Sequence, residues 1–246
     1  MKIYHKIFGP DDVSSAIALN NLGINYAKRK DFDKGIDYCK EALRIRKLHY
    51  GESVEVADTI YNIGNILFEC KMYDEAMEFY SEALKQYTKN LGENCIDNAS
   101  ALQQMGLIYE SKEMVKESMQ CFLECLHIFE VNGVNNDENL DVGVVLFSLG
   151  KAYSSIKDFD RAKDFLARSL RIRIGSKPIE NNTDAALTKL HLAHVLSEMD
   201  QVDEAMRGYL EASQIFKSTF GQKSTHYAQS LFHLGKLAAK MGEYER

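Results

Sequence analysis

The sequence contains no tryptophan and only two prolines among its 246 residues, and both prolines lie in loops between repeating segments. Proline interrupts helices, so a chain with so little of it can be helical almost throughout. Long hydrophobic runs are also missing: the longest nearly apolar stretch, Val142 to Leu149, is far short of the roughly 20 residues that a membrane helix needs. The opening residues, MKIYHKIFGPDD, lack the apolar core of a secretory signal. We therefore expect no membrane partner.

The sequence also has little excess charge of either sign. It carries 36 acidic and 30 basic side chains, for a formal net charge of −6. This mild acidity argues against a nucleic-acid partner, because nucleic-acid-binding proteins usually carry a basic face. The five cysteines are odd in number and lack the spacing of a disulfide framework, which indicates a reducing compartment. We therefore expect a cytoplasmic location.

What the sequence does contain is an internal repeat. The segment Leu19–Gly23, LNNLG, ends in a small residue and recurs five times with steps of 41, 42, 44, 43 and 42 residues. Apolar residues at i, i+3 and i+7, such as Leu19, Leu22 and Tyr26, predict an amphipathic helix in the first part of each repeat. A second helix is predicted after a short polar turn, and small residues such as Ala76 allow the two helices to approach closely.

Loops between the repeats contain glycine. A glycine that follows a helix can adopt the left-handed conformation that ends it. We expect this conformation at the glycines that occupy these loops, which are Gly9, Gly51, Gly92, Gly133, Gly175 and Gly221.

The pattern Leu-x-x-Leu-Gly-x-x-Tyr, followed by spaced small residues, resembles the tetratricopeptide repeat. Its period of about 42 residues exceeds the usual value of about 34, and residues 55–84 are similar to the long repeat of kinesin light chains. The resemblance implies an all-α fold, a right-handed superhelical solenoid of antiparallel helix pairs. In the fifth repeat Lys189 replaces an apolar residue, so that helix is either rotated or its lysine reaches along the surface to solvent.

We expect a single array over residues 1–246. Residues 1–8 are interpreted as the tail of a preceding helix, and residues 225–246 as the start of a sixth repeat, so we expect either a segment of a longer array or a truncated gene model. The five complete repeats are predicted at about 12–50, 54–91, 97–132, 139–175 and 183–220.

The resemblance implies that ligand contacts come from fixed positions on the first helix of each repeat, which line a concave groove. Amides at these positions can pair with both the N–H and the C=O of an extended peptide, and aromatic residues can form pockets for apolar anchors. Because these amides are taken to be exposed, Asn62 and Asn65 are expected to contribute little to stability. The candidate groove residues are Asn20, Asn21, Tyr61, Asn62, Asn65, Phe68, Gln103, Gln104, Phe147, Lys151, His191, His194, Phe232 and Lys236.

Two clusters have the residue types of a metal site. Cys121 and Cys125 lie four residues apart on one predicted helix, but Cys125 occupies a small core position, which favours packing. His191, His194 and His233 have no cysteine or carboxylate cluster beside them, which favours a role in the groove or in packing. No catalytic motif is present in the sequence. We therefore expect no enzyme, metal, cofactor or small-molecule substrate.

These observations predict a non-catalytic scaffold or adaptor that binds a partner peptide in the groove. The resemblance to kinesin light chains implies cargo adaptation as a finer hypothesis. Lysines outnumber acidic residues at the groove positions of the later repeats, which predicts that an acidic stretch of the partner lies there. Two alternatives stay open: a regulatory interaction domain of a larger enzyme or signalling protein, and a self-assembling repeat array.

Overall fold

The computed structural model describes residues 11–134, 139–176 and 182–244, and within these ranges it contains eleven helices and no strand. The all-α prediction is therefore confirmed. Residues 1–8, which were assigned to a preceding helix, lie outside the described ranges. The helices are α1 Val13–Lys28, α2 Phe32–Tyr50, α3 Val54–Glu69, α4 Tyr73–Leu91, α5 Ile96–Ser111, α6 Val115–Val131, α7 Leu140–Ser155, α8 Phe159–Ser176, α9 Thr183–Glu198, α10 Val202–Phe220 and α11 Thr225–Tyr244.

The helices group into two compact bodies, which we call the N-terminal half, up to Asn132, and the C-terminal half, from Gly133. In each half, successive helices form antiparallel pairs: α1 with α2, α3 with α4 and α5 with α6 in the first, and α7 with α8 and α9 with α10 in the second. Each pair also packs against the next within its half, so that the halves are stacks of helix pairs. None of the described helices is long and apolar enough to cross a lipid bilayer.

In the first four repeats, the glycine that ends the LNNLG-like segment lies in close contact with the second helix of its pair. A Cβ atom added to Gly64 would lie 2.8 Å from the Tyr80 ring, and one added to Gly150 would lie 2.5 Å from Cγ of Leu166. Since real Cβ atoms do not come this close to other heavy atoms, only glycine fits here without a shift of the second helix. Ala76 on α4 is fully buried, as the small-residue series predicts.

The turn inside each repeat has the same backbone geometry in all five cases. Its second residue has a positive φ without being glycine: this residue is Lys30, Lys71, Glu113, Lys157 or Asp200, with φ between 57° and 63°. The next residue donates its N–H back to a carbonyl five positions earlier, as from Met72 to Leu67 at 3.0 Å. These bonds form a Schellman-type ending, which occupies carbonyls that the helix would otherwise leave without a partner.

The loop glycines follow the prediction only in the sign of φ, because the ψ values of Gly51, Gly92 and Gly221 are −127°, 168° and 173°, outside the left-handed helical conformation. Gly51, Gly92, Gly133 and Gly221 have positive φ values. Gly175 does not, because it lies inside α8, so the prediction for this residue was wrong. Gly9 lies outside the described residues.

Two arginines at equivalent positions join one repeat to the next. Nη1 of Arg46 on α2 donates to Oγ1 of Thr59 on α3 at 2.8 Å and to the carbonyl of Glu55. Nη1 of Arg173 on α8 likewise donates to Oγ1 of Thr188 on α9 at 2.7 Å. Each guanidinium therefore holds the first turns of the following helix by charge-assisted hydrogen bonds.

Candidate functional site

The candidate residues fall on the first helices of the repeats, and we call this surface the first-helix face of each half. In the N-terminal half, Nδ2 of Asn62 on α3 donates to Oδ1 of Asn20 on α1 at 3.3 Å. Asn20 is buried and Asn62 is half-buried, whereas Asn21 is exposed. The two amides thus form a bridge between neighbouring repeats, and Asn62 keeps part of its surface toward solvent.

Asn65 has a structural role that the sequence did not indicate. Its Oδ1 accepts a hydrogen bond from the hydroxyl of Tyr80 at 2.8 Å, and Tyr80 is fully buried. Burial raises the pKa of the Tyr80 phenol far above its usual range, so this group stays a neutral donor. The premise that Asn65 is an exposed amide is therefore wrong, and we expect its loss to destabilise the fold by leaving a buried hydroxyl without its acceptor.

The N-terminal aromatic candidates are only partly available to a ligand. The half-buried ring of Tyr61 lies 5.5 Å from the Tyr80 ring, and the half-buried ring of Phe68 lies 5.5 Å from the Tyr73 ring. On α5, Gln103 is buried and Gln104 is half-buried. The half-buried candidate side chains of α3 and α5 are therefore only partly open to a ligand.

The first-helix face of the C-terminal half is aromatic and basic. The ring of Phe147 on α7 has Cζ of Arg173 at 4.5 Å and Nζ of Lys151 at 4.9 Å from its centroid, and the His191 ring lies 5.2 Å away. Cations this close to a ring are attracted by its quadrupole. Phe147 thereby holds two positive side chains and a histidine on one surface, although these come from three helices.

A pocket of about 420 Å³ lies at α9, α10 and α11 of the same half. His194, His233 and Lys236 line it from the first helices, and Tyr209 lines it from α10. The rings of Tyr209 and His233 stack at 5.4 Å with an angle of 4° between their planes. Phe232 is 65% exposed and lies beside His233. The pocket thus combines a flat aromatic wall with a lysine.

Burial sets the protonation of the histidine group. Desolvation, followed by the nearby Lys151 and the other histidines, lowers the pKa of His191 to about 4. Desolvation also lowers the pKa of His233. His191 is therefore neutral at physiological pH, and the positive charge of this face comes from its lysines and from Arg173.

The cysteine and histidine clusters have no metal-site geometry in the described part of the chain, where no three His, Cys, Asp or Glu side chains gather in a way that would hold an ion. Sγ of Cys125 contacts the carbonyl of Ala99 at 3.3 Å and is buried. Burial raises the pKa of Cys121 to about 11, so this thiol stays protonated. A protonated, buried thiol is a poor metal ligand and a poor nucleophile.

The candidate residues predicted from the sequence all lie on first helices, so they do not include two residues that the structure places at these faces. Tyr209 and Arg173 belong to second helices, yet Tyr209 lines the pocket and Arg173 contacts the Phe147 ring. A signal existed for Arg173, because Arg46 holds the same position three repeats earlier. The face is therefore built by both helices of a repeat.

Comparison with known proteins places these features in context. Three family models described as tetratricopeptide repeat match residues 15–53, 55–130 and 144–173. The Arabidopsis thaliana protein named KINESIN LIGHT CHAIN-RELATED 1 is 21% identical over 237 residues, which is 96% of this chain and 38% of that protein. The chain spans between 7% and 53% of the length of the curated relatives that it matches.

Solved structures show the same fold. BtubC (BKLC) from P. vanneervenii matches with a TM-score of 0.70 and 21% identity, over 84% of this chain and 82% of that one. YrrB, described as a TPR protein with an unusual peptide-binding site, matches with a TM-score of 0.60 and 15% identity, over 96% of both chains.

Proposed function

Because the chain belongs to the tetratricopeptide repeat family, with the long repeat of kinesin light chains, we propose that it is a non-catalytic adaptor whose first-helix faces bind a peptide segment of a partner protein. The pocket at α9, α10 and α11 carries this proposal. It offers the stacked rings of Tyr209 and His233 beside Lys236. An aromatic wall next to a cation suits an apolar side chain that is followed by a carboxylate.

The charge of the C-terminal half supports an acidic partner. Lys151 and Lys236 lie on its first-helix face together with the neutral His191, while Glu198 is the one acidic residue that lines the pocket of about 420 Å³. Charge complementarity of this kind accelerates association more than it deepens affinity, and it weakens as salt rises. The acidic stretch of the partner is therefore assigned to this half.

Relatives support the adaptor role. The solved YrrB carries a peptide-binding site by its own description, and the Arabidopsis relative is named for kinesin light chains. Cargo adaptation and action in the cytoplasm follow as finer parts of the proposal. The five cysteines, odd in number and without the spacing of a disulfide framework, support a reducing compartment.

A displayed library of random peptides tests the proposal. Peptides enriched on the wild-type chain are measured against Lys236→Glu, on the first-helix face, and against the matched control Lys217→Glu, which is exposed on α10. We expect Lys236→Glu to weaken binding roughly tenfold at low salt, mainly through the association rate. Lys217→Glu is expected to change the affinity for the peptide by less than a factor of two. Equal binding to all three chains would refute the pocket as the site.

One observation favours self-association as a second candidate function. Leu231 and Phe232 on α11 are 45% and 65% exposed, and adjacent exposed apolar side chains of this size are typical of contact surfaces. Light scattering over a concentration range, with Phe232→Ser as the variant, measures it. A mass that stays monomeric at all concentrations would exclude this function.

A further inference from the structure

A second pocket, of about 240 Å³, opens on a different side of α9 from the histidines. Its apolar walls are Leu170 of α8, Leu192, Ala193 and Leu196 of α9, and Gly208 of α10. Of these, Ala193 and Leu196 are buried, while the remaining wall residues are half-buried. The walls are therefore held in place by the core, and the pocket is separate from the first-helix face.

Comparison with the other repeats explains why a pocket forms at this position. The position of Gly208 is held by Tyr38, Phe79 and Phe165 in the first, second and fourth repeats. The ring of Tyr38 stacks on Tyr26 at 5.4 Å, and that of Phe165 stacks on Tyr153 at 5.3 Å.

In the fifth repeat, Leu196 holds the position of Tyr26 and Tyr153, and Gly208 has no ring to cover it. Leu196 and Gly208 both line the pocket. The pocket therefore lies where another repeat would place an aromatic side chain.

We propose that this pocket binds an aromatic side chain of a partner polypeptide, which takes the place that the protein's own rings fill in other repeats. At about 240 Å³ the pocket is smaller than the roughly 300–1,000 Å³ of typical small-molecule sites and suits one side chain. Tyrosine and tryptophan are enriched among the residues that contribute most of the binding energy at protein interfaces. The chain thus has a docking point for a partner outside its first-helix face.

The rim of the pocket supports a polypeptide as the occupant. Glu204 and Arg207 are exposed at its edge, and Lys189 forms an ion pair with Glu211 there. The rim is thus balanced in charge, and it offers both donors and acceptors around an apolar floor. This arrangement matches the apolar centre and polar edge of protein interfaces.

p-Cresol, which reproduces the side chain of tyrosine, tests the proposal by NMR titration of the full chain. We expect saturable shifts at the backbone amides of Ala193, Leu196 and Gly208, together with contacts from the p-cresol ring to the methyl groups of Ala193 and Leu196. The double variant Ala193→Gly, Gly208→Phe supplies an internal ring as in the fourth repeat, where Gly150 and Phe165 occur together. It is expected to weaken binding by at least roughly tenfold.

Phe232→Ala is the matched control, because it removes an exposed ring from the first-helix face and leaves the walls of this pocket intact. We expect it to change the dissociation constant by less than a factor of two. Absence of saturable shifts at the three amides overturns the proposal, and so does equal binding by a folded double variant. Binding of p-cresol confined to the first-helix face, and lost in Phe232→Ala, also overturns it while leaving the proposed peptide site untouched. If the double variant does not fold, the methyl contacts in the wild-type chain decide.

Discussion

Ala193 and Gly208 face each other across the α9–α10 pair, and a Cβ atom on Gly208 would lie 2.9 Å from that of Ala193. In other repeats the small glycine is on the first helix, as at Gly150, and the larger residue is on the second, as at Phe165. The fifth repeat reverses this order. The methyl group of Ala193 on α9 fits because the facing residue on α10, Gly208, has no side chain.

The effect of Gly208→Ala should therefore reverse sign with the residue at position 193. Next to Ala193 the new methyl group overpacks the contact, and we expect a loss of about 1 kcal/mol in the free energy of unfolding. In an Ala193→Gly background the contact is relieved, and the higher helix propensity of alanine should instead stabilise by up to about 1 kcal/mol. Urea denaturation of the four chains measures this coupling. Additive effects would show that the two residues do not share the contact.

Asn65→Ala should destabilise the N-terminal half by about 1–3 kcal/mol, because it leaves the buried hydroxyl of Tyr80 without its acceptor. Asn21→Ala is the matched control on an exposed site, where we expect a change within about 0.5 kcal/mol. Adding Tyr80→Phe to Asn65→Ala removes the orphaned hydroxyl and should recover part of the loss. Thermal unfolding gives all three values, and a harmless Asn65→Ala would show that the bond carries no stability.

Ala76→Leu should destabilise the chain by about 1–3 kcal/mol, since Ala76 is fully buried between α3 and α4 and three further carbons cannot be absorbed there. Because repeats contact mainly their neighbours, loss of hydrogen-exchange protection should centre on α3 and α4 and spare α9 and α10. Hydrogen exchange resolved by segment measures this. Uniform loss along the chain would contradict local coupling.

The sequence predicts the helix pairs well because their determinants are local. The series through Gly64 and Ala76 records where two helices touch, and that contact recurs in every repeat. Side-chain partners are less visible. Asn65 reads as a groove amide, and only the position of the Tyr80 hydroxyl reveals its structural role. The solvent exposure of a side chain is equally hard to predict from the sequence. Asn20 and Gln103 have the spacing of groove residues but are buried by the neighbouring helices.

The conformation of the turns could not be predicted from the sequence, for a different reason. Lysine disfavours positive φ, so Lys71 carries no signal for the left-handed conformation with φ of 62° that it adopts. The hydrogen bonds of the turn stabilise that conformation at the expense of local preference. Replacing such a residue with glycine should therefore stabilise the protein.

Lys71→Gly should consequently raise the free energy of unfolding by about 0.5–1 kcal/mol, because glycine adopts this φ without strain. The same substitution at Lys85, exposed within α4, is the control and should destabilise by about 1 kcal/mol through lower helix propensity. The melting temperatures of the two variants should thus move in opposite directions. A drop for Lys71→Gly would mean that the lysine side chain makes a stabilising contact of its own.

The half-buried His191 should make the protein less stable in mild acid. Its pKa is lowered from 6.5 to about 4 by burial, so between these values the unfolded chain takes up a proton that the folded chain does not. Stability contributed by the neutral ring is complete above pH 6.5 and falls toward pH 4, with a loss of about 2 kcal/mol at pH 5. The groups that face it, Lys151, Arg173 and His194, act in the same direction.

The variant His191→Gln has no such proton and isolates this effect. Its melting temperature should fall less than that of the wild type between pH 7 and pH 5. Carboxylates titrate in both chains and cancel in the comparison. Parallel profiles would show that the pKa of His191 is the same in the folded and the unfolded chain.

The hydrogen bonds that Arg46 and Arg173 make between repeats have a consequence for folding during synthesis. Arg46 reaches Thr59, and Arg173 reaches Thr188, so each guanidinium finds its partner 13 or 15 residues further on. The amide bridge from Asn62 to Asn20 spans 42 residues, one repeat. Each repeat can therefore form its hydrogen bonds to the next repeat as soon as that repeat has left the ribosome, because contacts this local form early and fast. The protein is suited to fold during its synthesis, one helix pair after another from the N-terminus.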